Sequence, residues 1–278
     1  MEKFIDLHTH STASDGSMRP SELVTHAWEN GLSALAVTDH DTIDGIPEAL
    51  ETGRKLGIEV LAGVEISVDF EPEMHLLGYF FNNSYLNIES VLEKLRLKRE
   101  ERNPRMIKKL NELGFDITLE EVASEAKGRV VARPHIASVL YKKGYVSSIR
   151  DAFDRFISAG KPAFVNKDKL TPEEGIAEIL KAGGIPVLAH PIYLGLTLEK
   201  LDKLVGALVE AGMKGIETYY VEHTQDDTGN LLRLAIKHDI IPTGGSDFHG
   251  SFKPDIKIGT GRGNLFVPYE VLERMKKI

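Results

Sequence analysis

The chain has 278 residues, 42% of them hydrophobic and 27% charged, an ordinary globular composition long enough for one large α/β domain or for a barrel carrying an insertion. It contains no cysteine and ten histidines, which excludes disulfides, thiol nucleophiles and thiolate metal sites together. The formal charge of −8 argues on its face against a polyanionic partner.

Short apolar runs bounded by turn residues recur at 4–7, 34–38, 59–64, 75–81, 185–189, 215–219 and 240–243, and they read as buried parallel strands. Amphipathic helical stretches separate most of them, at 20–30, 46–56, 172–182, 198–211 and 227–238. Pro20 with Ser21 and Glu22, and Thr171 with Pro172, Glu173 and Glu174, mark helix starts, while Gly31, Gly57, Gly183 and Gly212 stand where helices end. Seven strands alternating with helices predict a parallel barrel rather than an open sheet. No apolar run approaches the ~20 residues of a membrane span, and residues 1–6 lack a basic region followed by an apolar stretch, so a cytoplasmic protein is expected.

The alternation breaks between about residues 90 and 166, where the pattern is helical throughout. An inserted helical subdomain at 90–166 is therefore expected between barrel segments 1–89 and 167–278. The same region reverses the charge: residues 94–169 hold 18 Lys and Arg against 10 Asp and Glu, a net +8 that leaves −16 for the rest. Such an insert is a natural place to grip a phosphate-bearing substrate. The plain alternative, on the spacing of Lys94, Lys98 and Arg102, is a solvated helical face.

His8-Thr9-His10 closes the first run, and in extended backbone residues two apart point to one side, so both imidazoles can face one ion. His40 follows the second run, Glu65 the third, His190 the fifth, and Asp247 and His249 the seventh. In a parallel barrel those strand ends form a single rim, where catalytic groups converge. His75 opens the fourth run instead of closing it, and reaches the rim if that strand runs antiparallel or bends sharply. Any one of these histidines, taken singly, reads as a hydrogen-bonded imidazole. Crowded together with carboxylates they require bound cations, because unpaired buried charge is costly. A mixed imidazole and carboxylate donor set suits manganese, iron or zinc, with manganese the expected ion.

The motifs Asp6-Leu7-His8-Thr9-His10-Ser11, Thr38-Asp39-His40-Asp41, Leu188-Ala189-His190-Pro191 and Gly245-Ser246-Asp247-Phe248-His249 resemble those of the polymerase-and-histidinol-phosphatase (PHP) family, in order along the whole chain and with the acid positions Asp15 and Glu65 filled. The resemblance implies a distorted (β/α)7 barrel with a trinuclear metal centre. By that analogy His8, His10, Glu65 and Asp247 hold one ion, Glu65, His75 and His190 a second, and Asp15, His40 and His249 a third. Asp15, His40, Asp247 and His249 are then the expected catalytic residues. The stretches Ala132-Arg133-Pro134-His135-Ile136-Ala137 and Gly160-Lys161-Pro162-Ala163-Phe164-Val165 resemble the branch of nucleotide phosphoesterases that includes 3′,5′-nucleotide bisphosphate phosphatases and ribonuclease AM, which trims RNA from its 5′ end.

Arg133 offers a planar fork suited to bidentate phosphate contact, with His135 two positions on; the alternative for Arg133 is a surface residue before a proline turn. Lys161 and Lys167 either line the cleft or are solvated, Arg102 and Arg105 face the barrel or the outside of their helix, and Tyr193 stacks on a base or packs as an ordinary aromatic. His223 is a candidate proton donor, whereas His26 and His238 fall within helices and read as structural. The expected activity is hydrolysis of a nucleotide phosphate ester, a nucleoside 3′,5′-bisphosphate or a short 5′-phosphorylated oligonucleotide. Two or three divalent ions would generate hydroxide at neutral pH. The rivals are a histidinol phosphate phosphatase, a carbon–nitrogen hydrolase, and a non-enzymatic nucleic-acid-binding module that would have lost metal ligands. No membrane and no obligate protein partner are expected.

Overall fold

The computed structural model describes residues 3–126, 131–165 and 169–278. Among these described residues eight strands form one sheet in the spatial order β7-β6-β5-β4-β3-β2-β1-β8. They are β1 (Phe4–Asp6), β2 (Ala34–Val37), β3 (Glu59–Val68), β4 (Met74–Phe80), β5 (Gly184–Leu188), β6 (Gly215–Tyr220), β7 (Ile241–Gly245) and β8 (Val267–Pro268). Among the described residues ten α-helices accompany them: α1 (Pro20–Glu29), α2 (Ile46–Leu56), α3 (Glu89–Glu112), α4 (Leu119–Glu125), α5 (Arg133–Lys142), α6 (Ile149–Ala152), α7 (Pro172–Lys181), α8 (Leu198–Glu210), α9 (Gln225–Lys237) and α10 (Glu270–Met275).

The seven runs read from the sequence are seven of these strands, and the eighth carries no sequence signal beyond two residues. β1 pairs in parallel with β2 and β2 with β3, as do β5 with β6 and β6 with β7. β4 is antiparallel to both neighbours, which is the distortion of the barrel. Closure is made at the rim by backbone bonds that cross from β1 to β7: Leu7 N donates to Gly244 O (3.1 Å), Asp247 N to His8 O (2.9 Å) and His10 N to Phe248 O (2.9 Å). At the opposite end β8 adds antiparallel to Phe4 and Ile5.

Strand alternation sorts the core into two layers. Ile5, Leu7, Ala36, Leu77, Tyr79 and Val187 fill the barrel interior together with Val271, Leu272 and Met275 of α10, which stops the lower mouth. The opposite face of the sheet, with Leu35, Val37, Val64 and Ile66, packs on the apolar stripes of α1, α2, α7, α8 and α9. With α10 over the lower mouth, the rim above the interior layer is where the buried histidines and carboxylates gather. Among the described residues between Glu89 and Val165 there are helices and no strand, and Met106, Leu110, Ile136 and Leu140 form a further core there. The 24-residue helix α3 links the layers: Leu92 and Leu95 belong to the barrel-side core, Met106, Ile107 and Leu110 to the helical one. No helix among the described residues is long and apolar enough to cross a membrane.

Candidate metal centre

Strand ends deliver the side chains to the rim. His8 and His10 follow β1, His40 follows β2 and bridges in parallel to Glu65 on β3, and His190, Asp247 and His249 follow β5 and β7. Because β4 runs antiparallel, its first residues lie at the rim, and His75 sits opposite Ser67, two residues past Glu65. Asp15 comes from the turn after His10, where Asp39 accepts hydrogen bonds from Ser11 N (2.7 Å), Ser11 Oγ (2.6 Å) and Ser14 Oγ (2.6 Å) and so fixes the loop. Gly245 allows β7 to press against β1: a Cβ there would lie 2.4 Å from His8 Cβ. His190 and Asp247 take positive φ of 25° and 55°, a conformation that costs non-glycine residues about 1–3 kcal/mol and persists where the surroundings enforce it.

Glu65 stands at the middle. Its Oε2 lies 3.2 Å from His8 Nε2, 3.2 Å from His10 Nε2 and 3.3 Å from His40 Nδ1. Its Oε1 lies 2.7 Å from His75 Nδ1 and 2.9 Å from His190 Nε2. Asp15 approaches His10, His40 and His249 at 3.5, 3.7 and 3.4 Å. Asp247 Oδ1 is 3.3 Å from both His10 Nε2 and His249 Nδ1 and 3.7 Å from His8 Nε2. All nine residues expected as ligands are therefore gathered at one place. Three groups within them have the spacing to hold an ion: His10, Asp15, His40 and His249; His8, His10 and Glu65; and His40, Glu65 and His75. His10 and His40 are each shared between groups, so the sets overlap more than the three-way division implied by the resemblance.

The donor chemistry fits divalent cations. Both ring nitrogens of His10, Nδ1 of His40 and Nε2 of His75 are buried and make no hydrogen bond, and buried polar atoms are ordinarily satisfied. The carboxylates are ionised. Burial pushes Glu65, Asp15 and Asp247 up, but the surrounding imidazoles, and Lys253 in the case of Asp247, outweigh it and hold all three well below the usual carboxylate range. Burial pulls His10 and His75 down, yet neighbouring carboxylates lift both to about 9, whereas burial prevails at His40 and leaves it at about 3.

Several groups that shape the centre were not singled out from the sequence. Glu217 on β6, fully buried, meets His8 Nδ1 at 3.0 Å and accepts from His190 N at 2.6 Å. The first contact leaves His8 Nε2 aimed at the cluster, as an outer carboxylate does for a ligating histidine. Asp247 Oδ2 accepts from Lys253 Nζ (2.6 Å) and Tyr220 OH (2.9 Å), which turns Oδ1 inward. Asp6 ties Ser246 N, Ser246 Oγ and Gly259 N to β1 at 2.9, 2.5 and 2.7 Å. A carboxylate in the middle of the apolar run 215–219 was the available signal for Glu217; Lys253, in an irregular loop, had none.

The candidates for substrate contact fall differently. Arg133, first residue of α5, reaches the rim and donates to Glu73 Oε2 at 2.5 Å. His135 is turned inward, 2% exposed, with Nδ1 accepting from Ala132 N at 3.0 Å to close the helix start and its ring edge on Phe252. Lys161 is exposed in a turn, its N–H on Ser158 O, and Lys167 lies outside the described residues. His223 is buried, with Nδ1 2.8 Å from Thr218 O. A carbonyl only accepts, so Nδ1 carries the proton and Nε2, which has no partner, presents a lone pair. Burial lowers the His223 pKa, so the neutral ring is an acceptor at this position rather than the proton donor expected. Arg102 is buried beside Asn103, and His238 bonds Asp202 at 2.7 Å. Tyr193 is half-exposed with its OH 3.2 Å from Tyr220 OH.

A histidine and carboxylate cluster on the C-terminal rim of an α/β barrel defines the class of metal-dependent hydrolases. Residues 6–178 match the PHP domain, and the chain belongs to that family. It is 37% identical over 250 residues to a 5′-3′ exoribonuclease of Haemophilus influenzae, covering 90% of this chain and 91% of that protein. It is 31% identical over 250 residues to a 3′,5′-nucleoside bisphosphate phosphatase of Chromobacterium violaceum, covering 88% and 87%. A solved structure described as a candidate metal-dependent phosphoesterase from Bifidobacterium adolescentis superposes with a TM-score of 0.87 at 32% identity, over 98% of this chain and 95% of that one.

Proposed function

We propose that this chain is a metal-dependent phosphoesterase that hydrolyses a nucleoside 3′,5′-bisphosphate or a short 5′-phosphorylated oligonucleotide. The observation that carries the reading is the gathering of nine ligand-type side chains at one rim, five of them imidazoles around Glu65, with four ring nitrogens buried and unpartnered. The relatives that hydrolyse nucleotides and RNA support the substrate class.

The ions would be held by His8, His10, Glu65 and Asp247, by Glu65, His75 and His190, and by Asp15, His40 and His249, and the donor set suits manganese, with iron or zinc as alternatives. Divalent ions there supply Lewis-acid polarisation of the phosphoryl group and a hydroxide nucleophile at neutral pH. The chain's own residues do the rest. Glu217 and the Asp247 main-chain oxygen, which is 2.8 Å from His249 Nδ1, fix the tautomers of His8 and His249. Lys253 brings a cation to the rim beside Asp247, where it favours charge building on the transferring phosphoryl oxygens. His223 Nε2 accepts a hydrogen bond from a nucleotide hydroxyl, and Tyr193 offers an exposed ring face for a base. Residues 1–89 and 167–278 carry the metal barrel, and 90–166 contribute Arg133 as a cap.

Elemental analysis of the purified protein, followed by a panel of phosphoesters, tests this. More than one metal equivalent and turnover of nucleotides above histidinol phosphate are expected. One equivalent or less with full activity would overturn the multinuclear reading, and preference for histidinol phosphate would favour that phosphatase instead.

A further inference from the structure

Glu73, at the turn into β4, places its two oxygens on two cations. Oε2 accepts from Arg133 at 2.5 Å and Oε1 from Lys169 Nζ at 3.1 Å. The cations are fixed from behind. Arg133 is wedged against Phe153 and Phe164, whose ring centres lie 5.8 and 6.0 Å from its guanidinium carbon, and the Lys169 side chain is 8% exposed against 30% for Glu73. The carboxylate is thus the accessible member of the group. It also lies 3.6 Å from His75 Nε2, too far for a hydrogen bond, and that nitrogen has no partner. Glu73 thus makes no hydrogen bond to His75 and acts on that ring through its charge alone, while both its oxygens are hydrogen-bonded to the two cations. The anion position it fills is one imidazole ring away from Glu65, at the other edge of His75.

We propose that Glu73 is an internal stand-in for a substrate phosphate: it occupies the anion site formed by Arg133 and Lys169, and the second phosphate of the nucleotide displaces it, so that Glu73 sets the selectivity for doubly phosphorylated substrates. This deepens the phosphoesterase reading and rests on it. A phosphate presents more charge and more acceptor oxygens than a carboxylate and matches the guanidinium fork, so it wins the two cations, while a substrate with a single phosphate, held at the metal rim, leaves Glu73 in place. Arg133 and Lys169 with Glu73 between them carry one net positive charge; without the carboxylate they carry two, and the site then attracts the second phosphate more strongly.

The test compares adenosine 3′,5′-bisphosphate with adenosine 3′-monophosphate on the metal-loaded parent, on Glu73→Gln and on Lys169→Met, with selectivity taken as KM for the monophosphate over KM for the bisphosphate. Glu73→Gln is expected to raise that ratio about three- to tenfold, and Lys169→Met to lower it by a similar factor. An unchanged or lowered ratio in Glu73→Gln, or an equal fall in kcat on both nucleotides, overturns the proposal and makes Glu73 a positioning residue for His75. If Glu73→Gln does not fold, Lys169→Met decides alone, and an unchanged ratio overturns it. Calorimetric titration with the same two nucleotides separates this from the wider reading: a parent that turns over neither nucleotide removes the phosphoesterase assignment, while tighter bisphosphate binding by Glu73→Gln still upholds the stand-in and equal binding removes it.

Discussion

Glu217 Oε1 lies 3.0 Å from His8 Nδ1, and its other oxygen holds the backbone N–H of His190 at 2.6 Å. One buried carboxylate therefore sets the orientation of histidines from two strands, β1 and β5, whose ring nitrogens both meet Glu65. Burial pulls the His8 pKa down, but Glu217, Glu65 and Asp247 together raise it well above the ordinary value, which makes the ring a stronger base and a better ligand.

Glu217→Gln retains the shape and one acceptor but removes that charge. Metal affinity, read by competition with a chelator, is expected to fall about 10- to 100-fold, as outer carboxylates behave elsewhere. A variant with the parent's affinity would show that His8 needs no carboxylate behind it.

Asp247→Asn is expected to lower hydrolysis by more than about a hundredfold with the fold preserved, because the position requires φ of 55°, which asparagine tolerates, while the amide is a poor metal ligand. Circular dichroism controls for folding. The same change removes the anion from Lys253, whose side chain is 35% exposed, so the accompanying loss of stability is small, under about 1 kcal/mol. Activity within a few-fold of the parent would take Asp247 out of the centre.

The sequence was legible where chemistry and periodicity coincide. His8, His40, Glu65, His190 and Asp247 each follow or lie in an apolar run, so their placement at one rim could be read from the sequence, and an antiparallel fourth strand, one of the two ways for His75 to reach it, is what β4 adopts. What was not legible has no local pattern. β8 is two residues long and α10 six, too short for a period to emerge. Pro104 lies inside α3, where proline usually ends a helix, so the helix that contributes to both cores could not be read as continuous. Glu73 and Arg133 are 60 positions apart, as their contact records, and nothing in either stretch points to the other.

The protonation pattern gives a pH signature for metal removal. In the stripped protein His10 and His75 have folded pKa values of about 9 against 6.5 when unfolded, so their ion pairs with the carboxylates contribute fully below pH 6.5 and are lost as pH rises through about 9. His40, at about 3, stays neutral across this window. Ligation requires neutral imidazoles and is favoured as pH rises. The gap in Tm between metal-loaded and chelator-treated protein is therefore expected to widen from pH 6.5 to 9. A gap that is constant or narrows over that range, measured by scanning calorimetry, would remove His10 and His75 from the ligand set.

Arg133→Ala tests the cap's part in recognition. The guanidinium is held at the N-terminus of α5 by Phe153 and Phe164 and points to Glu73 beside His75, so it is preset to meet a phosphate that lies one imidazole from the metal rim. Losing a charge-assisted contact costs about 1.5–3 kcal/mol, or roughly ten- to a hundredfold in kcat/KM. That loss is expected on a 3′,5′-bisphosphate or a short 5′-phosphorylated oligonucleotide and to a much smaller degree on a nucleoside monophosphate, whose single phosphate is the reacting one. Arg133→Lys keeps the charge but not the fork, and is expected to recover only part of the loss. Truncation also frees Glu73 from its strongest partner and exposes the two phenylalanine faces, so melting temperatures of both variants must accompany the kinetics. Equal losses on mono- and bisphosphate substrates, with melting unchanged, would assign Arg133 to the support of His75 and Glu73 and deny it a selective contact with the second phosphate.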